Sequence, residues 1–392
     1  MTQTQMKPTC TQPWHSLAIY MRQKDLMASP CCILANDEFL IKENDLQSFS
    51  KLRNNSMQQK LRLDLVEKNP ENFCKSCVYC KDNNLDANIS FDMLNHPEMY
   101  SELQLENLRL MKEEYETGAV ELKSYPPVVF FVMGYKCNLN CPMCPQRIDA
   151  KDPTTWEKVK VYLISDLKPF LKRAMTLVIN GGEPFLISEA IKLMEIVTSD
   201  DELKTLELNI CSNMNFIDKY WDLLKKQKNI TITVSPDSLE DTYEYIRRGA
   251  KWEWVNNNVK MFNKIAKENN LNWRINSANI LMKSTINKIV EFAKWNIENN
   301  VTARFSILQD IGMDRQFARE EDLMAHPELL AEIDNWEQKM DKAIKLFKKA
   351  GQQIAVDSLT FYRDQIKANA KEEYKRIKIN IFGIKISYKK KV

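Results

Sequence analysis

The chain has 392 residues, 44% hydrophobic and 28% charged, and at this size folding buries roughly three quarters of the surface the unfolded chain exposes. A formal net charge of +3 is too balanced for a protein whose main partner is a polyanion, so no nucleic-acid partner is expected. Glycine occurs only 8 times, against a typical ~7% of residues, which excludes collagen-like and low-complexity architectures.

In chain order, residues 1–17 place no apolar run behind a basic segment, so no secretory signal is read. The longest apolar stretch, 128–133, is far short of the ~20 residues that cross a bilayer. A cytoplasmic location is expected. In that reducing compartment the 10 cysteines point to metal or redox chemistry rather than disulfides. They fall as Cys10, then Cys31 and Cys32, then Cys74, Cys77 and Cys80, then Cys137, Cys141 and Cys144, with Cys211 apart. A helix is expected over 97–116, opened by His96-Pro97-Glu98. Strands are expected at 128–135, 175–180, 205–211, 230–234, 273–280 and 303–308. Helical segments lie between them at 155–171, 187–198, 217–227, 239–268 (as two helices) and 286–299. Such alternation implies a parallel sheet covered by helices, either an open barrel or a doubly wound sheet, with chemistry at the carboxyl ends of the strands.

Beyond residue 312 the pattern is mostly helical, strongest over 327–349, where His326-Pro327-Glu328 repeats the earlier triplet. Proline in a first turn and glutamate near the helix dipole make both triplets start signals rather than a ligand pair. The tail, 375–392, alternates basic and apolar residues and carries no acid. It is expected to be a final edge strand with a solvated end, and it could also touch an anionic membrane surface weakly. The chain thus divides into a Cys-rich region (1–120), an α/β region (121–312) and a mainly helical region with a basic tail (313–392).

Cys137-Asn138-Leu139-Asn140-Cys141-Pro142-Met143-Cys144 follows the first strand of the repeat. A cubane iron–sulfur cluster takes four thiolates, so three leave one iron open to a substrate or cofactor. The next strand ends in Asn180-Gly181-Gly182-Glu183-Pro184. In so glycine-poor a chain, two adjacent glycines at a strand end mean close backbone approach. The glutamate beside them can accept from an ammonium group. Three cysteines of a zinc knuckle are the competing reading.

With CxxxCxxC and Gly-Gly-Glu-Pro in this order on consecutive strands, residues 125–310 resemble the radical S-adenosylmethionine (radical SAM) superfamily. The resemblance implies a partial (β/α)6 TIM-like barrel and a [4Fe–4S] cluster on Cys137, Cys141 and Cys144. It also implies SAM chelated to the open iron and a flavodoxin- or ferredoxin-type electron donor. Gly181, Gly182, Glu183 and Pro184 would hold the SAM amino group. Ser212 and Asn213 match a position near the methionine moiety, Ser235 and Asp237 the family's Ser-x-Asp, and Arg247 an arginine for the carboxylate. Met143 stands where relatives carry an aromatic residue against the adenine.

The N-terminal cysteines resemble the auxiliary-cluster module of SPASM and twitch radical SAM proteins, although such modules commonly follow the barrel. That resemblance implies a second [4Fe–4S] cluster on Cys10, Cys31, Cys74 and Cys77, with Cys32 and Cys80 as substitutes. Zinc or packed structural thiols are the alternative. Cys211, at a strand end near the radical, could donate a hydrogen atom to a substrate radical, as in radical SAM epimerases, or it could be a packed core cysteine.

The implied activity is hydrogen abstraction from a substrate C–H bond, giving dehydrogenation or epimerisation of a sugar, cyclitol or related small molecule. The segment Ile381-Phe382-Gly383-Ile384-Lys385-Ile386 resembles tails of bacterial surface-glycan biosynthesis proteins and points the same way. Maturation of a ribosomally made peptide is the alternative substrate class, and a metal-bound scaffold without catalysis is the alternative of another kind.

Overall fold

Among the described residues eight strands form one open sheet in the order β2-β1-β3-β4-β5-β6-β7-β8. The computed structural model describes residues 10–22, 25–30, 53–67, 91–144, 167–308 and 313–381, with backbone alone at 21–22, 25–27, 92 and 372–381. The strands are β1 (Ser16–Arg22), β2 (Asp25–Ser29), β3 (Val128–Val132), β4 (Thr176–Asn180), β5 (Glu207–Ser212), β6 (Asn229–Val234), β7 (Asn272–Leu281) and β8 (Val301–Ile307). All neighbours pair in parallel except β1 and β2, which form an antiparallel edge. With helices on its outer face, the sheet is an open, TIM-like partial barrel.

All six expected strands are present. The sheet nevertheless has two more, both from the segment before residue 120. Leu17 and Ile19 on β1 pair in register with Val129 and Phe131 on β3, and all four side chains are buried in the main core. The hundred-odd residues between β1 and β3 hide this pairing from any strand–helix alternation.

Among the described residues the helices of seven or more residues are α1 (Ser56–Val66), α2 (Glu102–Glu116), α3 (Ser188–Ser199), α4 (Glu240–Ile246), α5 (Trp252–Glu268), α6 (Ile289–Glu298), α7 (Arg315–Glu321), α8 (Trp336–Lys349) and α9 (Gln353–Ile381). On α5, Val255, Val259, Phe262 and Ile265 recur at helical spacing and are buried in the core. They face Ile230 and Ile232 of β6 and Ile275 of β7 in that same core. Each such side chain contributes roughly 1.5–3 kcal/mol on burial. Both His-Pro-Glu triplets do open helical turns, at Pro97–Met99 and Pro327–Glu332. The expected helix over 327–349 breaks at Asn335, whose φ of 51° is left-handed, and restarts as α8. Of the helix expected over 155–171, only Leu167–Leu171 lies within the described residues.

The tail reading is corrected for residues 375–381: they continue α9 rather than form an edge strand. Helix propagation from a long, already nucleated segment outweighs four residues of basic–apolar alternation. Residues 382–392 lie outside the described residues. Among the described residues no helix is long and apolar enough to cross a membrane.

Two fully buried arginines lock the N-terminal segment in place. Arg62, 0% exposed, donates to the carbonyls of Pro13, Arg53 and Val120. Arg53 donates to those of Trp14 and Ser124. Burial pushes the two guanidinium groups down to about 9 and about 10, for Arg53 and Arg62 respectively. Both therefore stay charged at neutral pH. Glu114, whose carboxylate accepts from the Lys123 and Ser124 amides, is the acidic partner nearby. Trp14, also 0% exposed, donates from its indole to Ala119 O at 2.9 Å. Replacing Arg62 with leucine leaves three buried carbonyls without donors and is expected to destabilise the protein by about 3 kcal/mol or more. The midpoint of denaturant unfolding measures this, and an unchanged midpoint would remove the clamp from the account.

Candidate active site

The carboxyl ends of β4, β5 and β6 and the Cys137–Cys144 loop surround one cavity. Cys137, Cys141 and Cys144 line it, together with Gly181, Gly182, Cys211, Ser212, Asn213, Ser235 and Arg247. Sequence reasoning missed three further lining residues, Tyr135, Leu139 and Asn180. Asn180 was legible in principle, being the last strand residue before the glycine pair.

The loop has no regular structure of its own and is held from outside. Gly182 N donates to Gly134 O at 3.0 Å, and Glu183 N donates to Lys136 O at 2.8 Å. A Cβ on Gly182 would stand 2.1 Å from Lys136 O, and one on Gly181, whose φ is +134°, 2.4 Å from Gly134 O. The close approach expected of the glycine pair is thus to the chain's own backbone, leading into the cysteine loop. On the far side, Asn140 N donates to Arg248 O at 2.9 Å.

Glu183 is 0% exposed and is not among the residues lining the cavity. Its carboxylate accepts from Ser212 Oγ (2.8 Å), Asn213 N (2.8 Å) and Phe185 N (3.2 Å), tying the end of β4 to the end of β5. Pro184 is buried beside it and opens a helical turn. Met143 is buried too and not among the lining residues; it belongs to an apolar cluster with Ile246, Met282, Leu308 and Phe317. The loop methionine anchors its own segment there.

Asp237 and Arg247 come together as an ion pair. Asp237 Oδ2 lies 2.7 Å from Arg247 Nε and 2.5 Å from Nη2, while Oδ1 accepts from Ile280 N at 2.8 Å. Asp237 is buried with φ 57°, a left-handed conformation that aspartate tolerates better than most residues. Arg247 follows α4 directly, so the helix after β6 delivers it to the carboxylate at the end of β6. Burial works against its cation, but Asp237 and the neighbouring Cys141 outweigh that and hold it firmly charged. Its Nη1 donates to Cys141 Sγ at 3.9 Å.

The donor set fits an anionic, thiolate-ligated cluster. Cys137 Sγ accepts from Leu139 N at 3.4 Å and lies 3.9 Å from Asn213 Nδ2, and Arg247 reaches Cys141. N–H···S contacts and a nearby cation are the levers that stabilise such a group. Burial pushes the Cys137 thiol up to about 11 and raises Cys141 as well. Ligation must therefore displace protons. Among the described residues no group of three or more His, Cys, Asp or Glu is arranged to hold a single metal ion.

Cys211 lies on β5 with its side chain at the cavity, beside Asn180 and Ser212. Burial pushes its thiol up to about 11, against a hydrogen bond with Thr233. Of the cysteines assigned to an auxiliary cluster, Cys10 is buried against Trp14, Leu61 and Leu108. Cys31, Cys74 and Cys77, with the substitutes Cys32 and Cys80, lie outside the described residues.

Burial, partly countered by its three donors, pushes the Glu183 carboxyl up from an ordinary 4.5 to about 7. A carboxyl raised in the folded state favours folding below its unfolded value and gives that advantage up as pH rises through about 7. Wild type should therefore lose roughly 3 kcal/mol relative to Glu183→Gln between about pH 5 and about pH 8. Parallel denaturant titrations at the two pH values measure this, and a constant difference between the proteins would refute it.

Residues 131–295 match the Radical SAM superfamily. Solved structures similar to this chain include SuiB from Streptococcus suis bound to precursor peptide SuiA, at 16% identity and TM-score 0.41, covering 86% of this chain and 71% of that one. Native anSMEcpe with bound AdoMet and Cp18Cys peptide gives 18% identity and TM-score 0.38, with 56% and 58% covered. A radical SAM methyltransferase from Sphaerobacter thermophilus gives 14% and 0.37, with 54% and 63% covered. No curated protein matches the chain. The segment that carries the cysteine loop and the glycine pair is thus the one that matches the radical SAM superfamily.

Proposed function

We propose that this radical SAM enzyme acts on a small, polar, hydroxyl-bearing molecule such as a sugar or cyclitol, by dehydrogenation or epimerisation at a C–H bond. The observation that carries the reading is the convergence on one cavity of three thiols, the glycine pair, Ser235 and Arg247, with the Cys211 thiol on its wall. A [4Fe–4S] cluster and SAM, if bound there, would supply one-electron radical chemistry at a substrate C–H bond.

The residues of the chain then have distinct tasks. Cys137, Cys141 and Cys144 hold the cluster. Arg247, oriented and kept charged by Asp237, receives the SAM carboxylate, and the Gly181–Gly182 backbone with Asn213 borders the methionine moiety. Ser235, at the end of β6, is placed for the ribose. Glu183 acts indirectly, fixing Ser212 and Asn213.

Cys211 supports the epimerase branch. Its raised pKa keeps the S–H intact at neutral pH, which is the form that donates a hydrogen atom. Donation to a substrate radical breaks that S–H bond, forms a substrate C–H bond and leaves a thiyl radical, which one electron and one proton restore. An auxiliary cluster on Cys10 and the other N-terminal cysteines would be a source of the electron.

Support for a polar substrate comes from the concave face of the sheet. Barrel interiors that serve only as packing are filled by branched apolar residues. Here Asn209, Thr231, Thr233 and Asn276 occupy inward positions on β5, β6 and β7.

Anaerobic incubation of reconstituted protein with SAM and dithionite is expected to release 5′-deoxyadenosine, and Cys137→Ala to abolish that release. No release from wild type would favour the non-catalytic scaffold. Cys211→Ala should still release deoxyadenosine but lose formation of the inverted product, so inversion by this variant would remove Cys211 from the mechanism.

A further inference from the structure

The two sides of β8 differ sharply. Ala303 and Phe305 are buried, and Phe305 meets Phe292 of α6 and Phe347 of α8 edge-on. Alternation along a strand then turns Thr302, Arg304 and Ser306 to the opposite, concave side. The same holds on β7, where Ile275 is buried in the core between the exposed Arg274 and the half-buried Asn276.

Register brings four polar side chains of this face together. Asn276 pairs with Thr302, and Ala278 pairs with Arg304 on β8. Ser235 stands one residue past the pair formed by Val234 and Ser277, and it lines the candidate active-site cavity. None of the side chains of Ser235, Asn276, Thr302 and Arg304 has a hydrogen-bond or ion-pair partner among the described residues. Nearby polar groups on the same face are spent: Arg274 on Glu207 at 2.7 Å, Thr233 on Asn209 at 3.1 Å, and Ser306 on Asn279 O at 3.4 Å. Between Ser235 and Arg304 on this face stands Ala278, exposed and without a long side chain.

We infer that this patch is the far end of the substrate site and receives an oxyanion, a carboxylate or phosphate, on Arg304, with Asn276 and Thr302 completing its hydrogen bonds. A guanidinium matches the planar, two-oxygen edge of such a group, and an arginine without an acidic partner keeps its donors available for it. The patch is continuous with the cavity through Ser235, so a molecule held there extends towards Cys211. The inference rests on the reading that the concave face takes the substrate, and it narrows that substrate to an anionic one.

The test uses reconstituted protein with SAM bound, so that Arg247 is already engaged. Inorganic phosphate and succinate are titrated separately at constant ionic strength, with binding followed by NMR. Wild type should bind at least one of them, Arg304→Gln about tenfold more weakly, and Arg304→Lys in between. Arg319→Gln, an exposed arginine on α7, should bind as wild type does. Preference for phosphate would assign a phosphorylated substrate, and preference for succinate a carboxylate-bearing one. Failure of both anions to bind wild type, or equal binding by Arg304→Gln, would overturn the inference. Deoxyadenosine release by wild type is scored without either anion. Oxyanion binding through Arg304 in a protein that releases none would keep this inference while removing the catalytic reading beneath it.

Discussion

The cysteine loop depends on two backbone hydrogen bonds that it does not make for itself. Those from Gly182 N and Glu183 N to the Gly134 and Lys136 carbonyls join the end of β4 to the chain entering the loop. They require backbone-to-backbone contact that any side chain at Gly182 would block. Glu183 then passes the constraint sideways, because its carboxylate is consumed by Ser212 and Asn213 at the end of β5. Asn213 in turn donates to Asn138 Oδ1 at 2.9 Å, inside the loop. The ring of contacts closes on itself, so thiols, glycines and strand ends keep one geometry.

Charge is handled differently in the two halves of the molecule. At the site, a buried carboxylate and a guanidinium pair directly, and the remaining donor of Arg247 is left facing a cysteine sulfur. In the N-terminal segment, Arg53 and Arg62 donate almost entirely to backbone carbonyls. The first arrangement leaves an oriented cation at a cavity. The second ties the chain around Trp14, and the segment leading into β3, to α1 through buried backbone carbonyls.

Much of the site was legible because its chemistry is local in sequence. Cys137, Cys141 and Cys144 share one loop, and the glycine pair stands out in a chain with only 8 glycines. Strand positions were legible for the same reason: apolar β-branched runs recur with one helix between them. Roles were harder to read than membership. Glu183 and Met143 belong to the motifs, but whether a side chain faces the cavity or the packing behind it depends on neighbours from other strands and helices. β1 was missed because its partner is distant in sequence, and the tail was misread because a four-residue alternation fits a helix as well as a strand.

The sequence by itself determined the parallel α/β class, the three-thiol loop and the glycine turn, since each is a local pattern whose spacing dictates its geometry. Only the tertiary structure decided that the glycines touch backbone, that Glu183 is a buried strut, and that Cys211 lies on the cavity wall. It alone aligned Asn276, Thr302 and Arg304 on one inward face. Those outcomes depend on register and on the packing of helices against one side of the sheet, which fix where each alternate side chain points across strands that the sequence lists far apart.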